Sequence, residues 1–155
     1  MRTSHFFVLF AFTFFLVSCS WNFYAYIRNS THSTATVDVY LLDKSNLNTL
    51  PNKVRIAERA VNFKSGYKKY FEHTQNVRWI DTSHFTFEIK PYTTLDLTEM
   101  TGRFRNGGPR KHVRVILTTE GKVDTLINGE VDDRRNKFHY DHVGLTTHVL
   151  YYDIK

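Results

Sequence analysis

The chain is 155 residues long, with 21 Lys and Arg against 15 Asp and Glu for a formal charge of +6, and 41% of it is hydrophobic. That length suits one domain with one core, and the single cysteine excludes an internal disulfide, so packing and backbone pairing must supply the stability. The positive charge attracts anionic partners such as lipid head groups, phosphorylated glycans or nucleic acid, but it governs encounter rather than identity.

In chain order, Arg2 precedes an apolar run from Phe6 to Val17 broken only by Thr13, and the run ends in Ser18-Cys19-Ser20. A positive start, a short apolar centre and small residues at the cut are the anatomy of a secretory signal. A spanning helix needs roughly 20 apolar residues, and this run falls short of that. Leu16-Val17-Ser18-Cys19 resembles the lipobox of bacterial lipoproteins. The resemblance implies cleavage before Cys19, a diacylglyceryl thioether on its sulfur and an acylated new amine, so that residues 1–18 are a lipoprotein signal peptide. More than one acyl chain is what stable anchoring requires. The expected place is the bacterial cell envelope, with Ser20 compatible with the outer membrane and the facing side left open.

Residues 19–23 read as the lipid-attached tether, and residues 24–155 as a single domain. Tyr24, Tyr26 and Arg28 lead into the polar cluster Asn29-Ser30-Thr31-His32-Ser33-Thr34, which is turn material, and predict a first hairpin. Val37, Val39 and Leu41 alternate with Thr36, Asp38 and Tyr40, the period-two signature of a strand over about 34–42. After a loop through Pro51, a bulged strand is expected to carry Val54, Ile56, Val61 and Phe63. Tyr67, Tyr70 and Phe71 have helical spacing, for a short helix or a long loop. Val77 and Trp79 alternate, then Phe85, Phe87 and Ile89, and after Lys90-Pro91-Tyr92 the pattern resumes at Leu95 and Leu97. A strand, a proline corner and another strand in so short a span is the turn spacing of sandwiches.

Residues 85–97 resemble the stretch of bacterial immunoglobulin-like domains in which the chain crosses between sheets. Val113, Val115 and Leu117 form a hairpin with Val123–Ile127 through the tight turn Glu120-Gly121. A terminal strand over 146–154 shows Val149, Tyr151 and Asp153 on one face. The fold class expected is all-β: an antiparallel β-sandwich, immunoglobulin-like or related, of about eight strands with little helix.

Catalytic motifs are scarce. The chain has no Gly-x-Ser-x-Gly elbow, phosphate-binding glycine loop or His-Glu-x-x-His helix, and its one thiol is committed to lipid in the lipobox reading. His139, Asp141 and His142, with His112 and His148 as additions, are the best metal candidates. On a strand, however, 139 and 141 share one face and 142 takes the other, so only a turn would converge both imidazoles. Surface histidines are the simpler account, and neither a metal nor a cofactor is expected.

Arg103, Arg105, Arg110, Lys111 and Arg114 form the densest basic cluster, suited to phosphate or carboxylate or to a protein partner. Arg134, Arg135 and Lys137 form a second. Solvated loops account for most such runs. Nucleic acid is not expected, because no aromatic stacking motif accompanies the charge and the export signal points out of the cytoplasm. Trp79 is assigned to the core, and Trp21 and Phe23 to the membrane interface.

The function expected is a lipid-anchored binding or assembly module of the envelope that captures another envelope protein or an anionic glycan. The balance of motifs is against an enzyme. The rivals are an envelope hydrolase or metal-dependent enzyme using the histidines, and an inhibitor or immunity-like lipoprotein blocking a partner through the basic loop.

Overall fold

The computed structural model describes residues 22–42, 52–64, 66–101, 113–128, 137–143 and 147–155. Among these, eleven strands form two sheets. One sheet holds β1 (Asn22–Asn29), β3 (Lys53–Ala57), β4 (His73–Asn76), β7 (Thr94–Asp96), β10 (His139–His142) and β11 (Thr147–Ile154), in the order β10-β11-β1-β7-β3-β4. The other holds β2 (Ala35–Leu41), β5 (Arg78–Trp79), β6 (His84–Ile89), β8 (Val113–Thr119) and β9 (Lys122–Asn128), in the order β5-β6-β2-β8-β9. The described chain is thus an all-β sandwich whose strand pairs are antiparallel except for one. The strands beyond the expected eight are short, and β1 begins inside the stretch read as tether.

The exception is β1 with β11, which run parallel with all eight residues in register from Asn22 opposite Thr147 to Asn29 opposite Ile154. A parallel pair needs a long crossover, and here that crossover is the rest of the domain. Arg28 stands opposite Asp153, and the two exchange paired hydrogen bonds, Nε to Oδ1 and Nη2 to Oδ2, both at 3.0 Å. Burial alone would raise the Asp153 pKa. Arg28 and the Ser30 hydroxyl outweigh it and hold the carboxyl below the ordinary carboxylate range.

The polar cluster after β1 makes a corner and not a hairpin, since β1 and β2 lie in different sheets. Asn29 is fully buried and organises it. Its Nδ2 donates to the carbonyls of Ser33 (2.7 Å), Ile89 (3.3 Å) and Lys90 (3.2 Å), and its Oδ1 accepts from the Thr31 amide (3.0 Å) and hydroxyl (2.7 Å). One side chain therefore ties the β1–β2 corner to the β6–β7 corner, where the chain crosses sheets at Pro91 as the sequence predicts. The β8–β9 hairpin also forms as expected. Glu120 (φ 42) and Gly121 (φ 80) give its turn two successive positive dihedrals, matching the strand twist. A bulge beside Val115 and Ile116 leaves Leu126 unpaired, so Leu126 and Ile127 are both buried despite being adjacent.

Two apolar layers result. Between the sheets lie Ala25, Ile27, Val37, Val39, Phe85 and Phe87 with their neighbours, closed at one end by Met100 from a single helical turn, Thr98–Thr101. On the outer face of the β1 sheet lie Tyr26, Ala57, Val61, Phe63, Tyr67, Phe71 and Val149. The expected bulged strand through Phe63 is not formed. β3 stops at Ala57, and residues 58–72 fold back over the sheet through a 3-10 turn, Tyr67–Tyr70. The Thr94 hydroxyl, bonded to Val61 N and Arg59 O at 2.9 Å each, and Arg28 Nη1, bonded to Val61 O at 3.1 Å, fasten this cover. Trp79 is a second correction. It lies on the two-residue edge strand β5, stacked at 4.9 Å on Phe85 but partly in solvent, because an edge strand has no neighbour to cover its far side.

Two outcomes follow. Asp153→Asn lowers the unfolding free energy by about 2–4 kcal/mol, the cost of stranding a part-buried guanidinium. In the wild type, this contribution is complete above the ordinary Asp range and is lost as pH falls through the depressed native pKa, whereas the variant lacks that acid step. Urea titrations at descending pH measure both. Asn29→Ala removes the donor shared by the Ser33, Ile89 and Lys90 carbonyls and the acceptor of the Thr31 amide and hydroxyl, and costs about 2 kcal/mol, readable in the same titrations.

Candidate functional site

Several residues singled out by sequence lie outside the described residues: Cys19 and Trp21, the basic positions Arg103, Arg105, Arg110 and Lys111, and His112, Arg134 and Arg135. Arg114 is described, exposed on the outer face of β8 opposite Tyr40. Lys137 is no free cation. Its Nζ bonds Asp124 Oδ1 and Thr125 O at 2.6 Å each, and Asp124 Oδ2 accepts from Tyr152 Oη at 3.0 Å. This cluster staples β9 in one sheet to β11 in the other. Burial opposes ionisation of Asp124, but Lys137 and Tyr152 prevail and hold its pKa down.

The histidines fall on a strand pair, so His139 and Asp141 take one face and His142 the other. His139 lies over Tyr151, with ring centroids 5.2 Å apart. Across the pair, His142 stands opposite His148 with centroids 4.5 Å apart, and Tyr140 Oη bonds His148 Nδ1. The geometry therefore brings two imidazoles and a phenol together. Among the described residues, no three His, Cys, Asp or Glu side chains are placed to hold a metal ion. Burial, with the neighbouring His142 adding to it, lowers the His148 pKa, so this ring is neutral at pH 7. A neutral imidazole and a phenol can exchange hydrogen bonds.

On the outer face of residues 58–72, a shallow depression of about 290 Å³ is lined by Glu58, Arg59, Lys69, Tyr70, Glu72 and His73. Both charge signs line it, and Arg59 and Lys69 already rest on the Tyr70 ring at 4.6 and 5.3 Å. Cations engaged by an aromatic face are poorly placed to hold an anion.

The better candidate is the corner built on Asn29, which sequence reasoning treated only as turns. Tyr92 follows Pro91 in the β6–β7 turn and adopts φ 55, a left-handed value that a side chain with a Cβ resists. The ring is exposed, meets His32 edge-on at 5.1 Å, and its hydroxyl bonds that imidazole at 2.8 Å. Beside it, Ser33 Oγ donates to Glu120 Oε1, and Val123 is 66% exposed. A strained, exposed aromatic beside an imidazole and a carboxylate can stack on a partner's apolar or sugar face while bonding its polar groups. The signal available beforehand was a tyrosine after proline, where a turn with positive φ normally takes glycine.

Tyr92→Gly, relieving this strain, raises stability by about 0.5–1 kcal/mol, whereas Tyr92→Ala, which keeps the Cβ and loses the ring, lowers it. Equilibrium unfolding of the two variants decides the matter, and a glycine variant less stable than the alanine variant contradicts it. Comparison with models of known protein families, with curated proteins and with solved structures gives no match.

Proposed function

We propose that this protein is a lipid-anchored binding or assembly module of the bacterial cell envelope, without catalytic activity of its own. The observation that carries this reading is the position of its one cysteine: Cys19 closes an apolar run, and β1 begins three residues later at Asn22. A lipid on that sulfur would hold the sandwich close to a bilayer. The Asn29 corner lies at the other end of β1, roughly 23 Å away for eight residues of strand, and so faces away from the anchor. Its exposed Tyr92 and Val123 suit a protein partner or the face of a glycan. The paired His142 and His148 supply too few ligands to favour a metal-dependent hydrolase among the described residues.

Intact-mass analysis of the native product tests the anchor. A chain starting at Cys19 and heavier by a diacylglyceryl and an acyl group is the expected result, with Cys19→Ala releasing the protein from the membrane fraction. An unmodified thiol, or a start elsewhere, overturns the reading.

A further inference from the structure

The end of the sandwich where β1 starts can be traced from the strand registers. β11 starts there at Thr147, opposite Asn22, and β10 ends there at His142. The helical turn Thr98–Thr101 crosses this end, with Leu97 N bonded to Ala25 O at 2.8 Å, and leads towards β8, whose first residue Val113 pairs with Leu41, the last of β2. The β5–β6 turn closes the same end, with Ser83 O accepting from Leu41 N at 2.8 Å and His84 O accepting from Ile80 N at 2.9 Å.

Among the described residues, the large apolar side chains left in water gather mostly at the two ends of the sandwich, with Tyr92 and Val123 at the Asn29 corner. Leu42 (47% exposed), Trp79 (36%) and Ile80 (52%) sit together on this rim. Surface apolar residues scattered singly need no explanation, but a group on one rim does. Lys53, exposed at the start of β3, adds positive charge nearby, while Lys68 Nζ is already engaged 4.0 Å over the Tyr24 ring. Asp81 is also on the β5–β6 turn. Its Oδ1 accepts from Ser83 N (2.6 Å), Ser83 Oγ (2.9 Å) and His84 N (2.9 Å), so the turn itself satisfies that oxygen.

The chain also states how far this rim can stand from Cys19. The three Cα-to-Cα steps from Cys19 to Asn22 span at most about 11 Å, whatever their path. Resting on the lipid-anchor reading above, we propose that the rim of Leu42, Trp79 and Ile80 lies in the bilayer interface, so that the lipid and the rim together orient the sandwich with the Asn29 corner outward. Leu and Ile enter the boundary between head groups and acyl chains, Trp79 sits at head-group level where indoles prefer to be, and Lys53 meets phosphate.

The test separates this proposal from the anchor reading by imposing the anchor chemically. Every described strand lies C-terminal to Cys19, so the chain from Cys19 onward contains both sheets. Its one thiol is joined to a maleimide-bearing phospholipid in vesicles of phosphatidylethanolamine with a minority of phosphatidylglycerol, some acyl chains brominated. Trp21→Phe makes Trp79 the only indole. Trp79 emission is expected to shift to the blue and fall about twofold on bromination, and Leu42→Ser with Ile80→Ser to relieve much of that quenching. In a second protein, Trp21→Phe, Trp79→Phe and Val123→Trp together place the only indole at the far end, where it is expected to stay unquenched. Equal quenching at both ends, or none at Trp79, overturns the proposal, the latter assigning the rim to a protein partner or a second copy. Native lipidation is read separately, from the mass of the native product.

Discussion

The fold depends on the parallel pairing of its first and last described strands. β1 has β11 on one side and β7 on the other, so it is the strand through which the outer pair β10-β11 joins the rest of its sheet. None of the pairing is local. Nearly the whole domain lies between Asn22 and Thr147 in sequence, so their pairing carries a large loop-closure cost that its hydrogen bonds and packing must offset. Arg28 and Asp153 make that closure specific, since a one-residue slip would turn the two side chains to opposite faces and leave both charges part-buried without a partner. The guanidinium also rests 4.7 Å above the Tyr151 ring and holds Val61 O, so the same residue fastens the cover over the sheet. Register, closure and the outer layer thus converge on one side chain.

At β1 the sheet is buried on both faces, which explains its aromatic content there. Its inner face contributes Ala25 and Ile27 to the core between sheets, while Tyr26 points outward into a nest of rings, 4.8 Å from Phe63, 5.0 Å from Phe71 and edge-on to Tyr67 at 5.7 Å. The Tyr26 hydroxyl donates to Tyr67 Oη at 3.2 Å, so the phenol is not left unsatisfied under this cover. Burial raises the pKa of both groups, that of Tyr67 to about 12, and keeps them neutral donors across the physiological range. The outer face of the other sheet takes the opposite solution. It stays polar, with Asp38 bonded to His84 Nε2 at 2.9 Å and Tyr40 stacked on that imidazole at 4.2 Å.

This contrast sets what the sequence could reveal. In β2, β6 and β8 one face is apolar and the other polar, so period-two alternation identified all three strands, and the Glu120-Gly121 turn identified the hairpin. In the β1 sheet the same signal found the terminal strand, β11, but it could not tell inner from outer positions, because tyrosine serves on either face. Val61 and Phe63 read as a strand since they are apolar at alternate positions, but they are buried from outside by a segment without strand pairing. The β1–β2 corner read as a hairpin because turn chemistry is the same whether the chain returns to its own sheet or crosses to the other. Only the carbonyls that Asn29 collects from β6 distinguish the two cases. Of the candidate site, the imidazole pair was foreseeable as spacing but not as geometry, since His142 meets His148 through cross-strand register and not through a turn.

The arrangement also has a mechanical consequence. A load applied at Asn22 along the strand axis is one that β1 meets end-on. A load in that direction shears the bonds of β1 to β11 and to β7 together, whereas a load across the axis would peel them one at a time. The shear path is stiff because many hydrogen bonds must yield at once, and the Arg28–Asp153 pair and the Asn29 network lie at the far end of that path, where slippage would have to begin. A chain held to a surface through its first strand would gain from this placement, because the strand nearest the attachment is also the one that the rest of the sheet grips on both edges. The parallel register therefore closes the fold and also sets the bonds of β1 to β11 in shear, not in peel, under an axial load at Asn22.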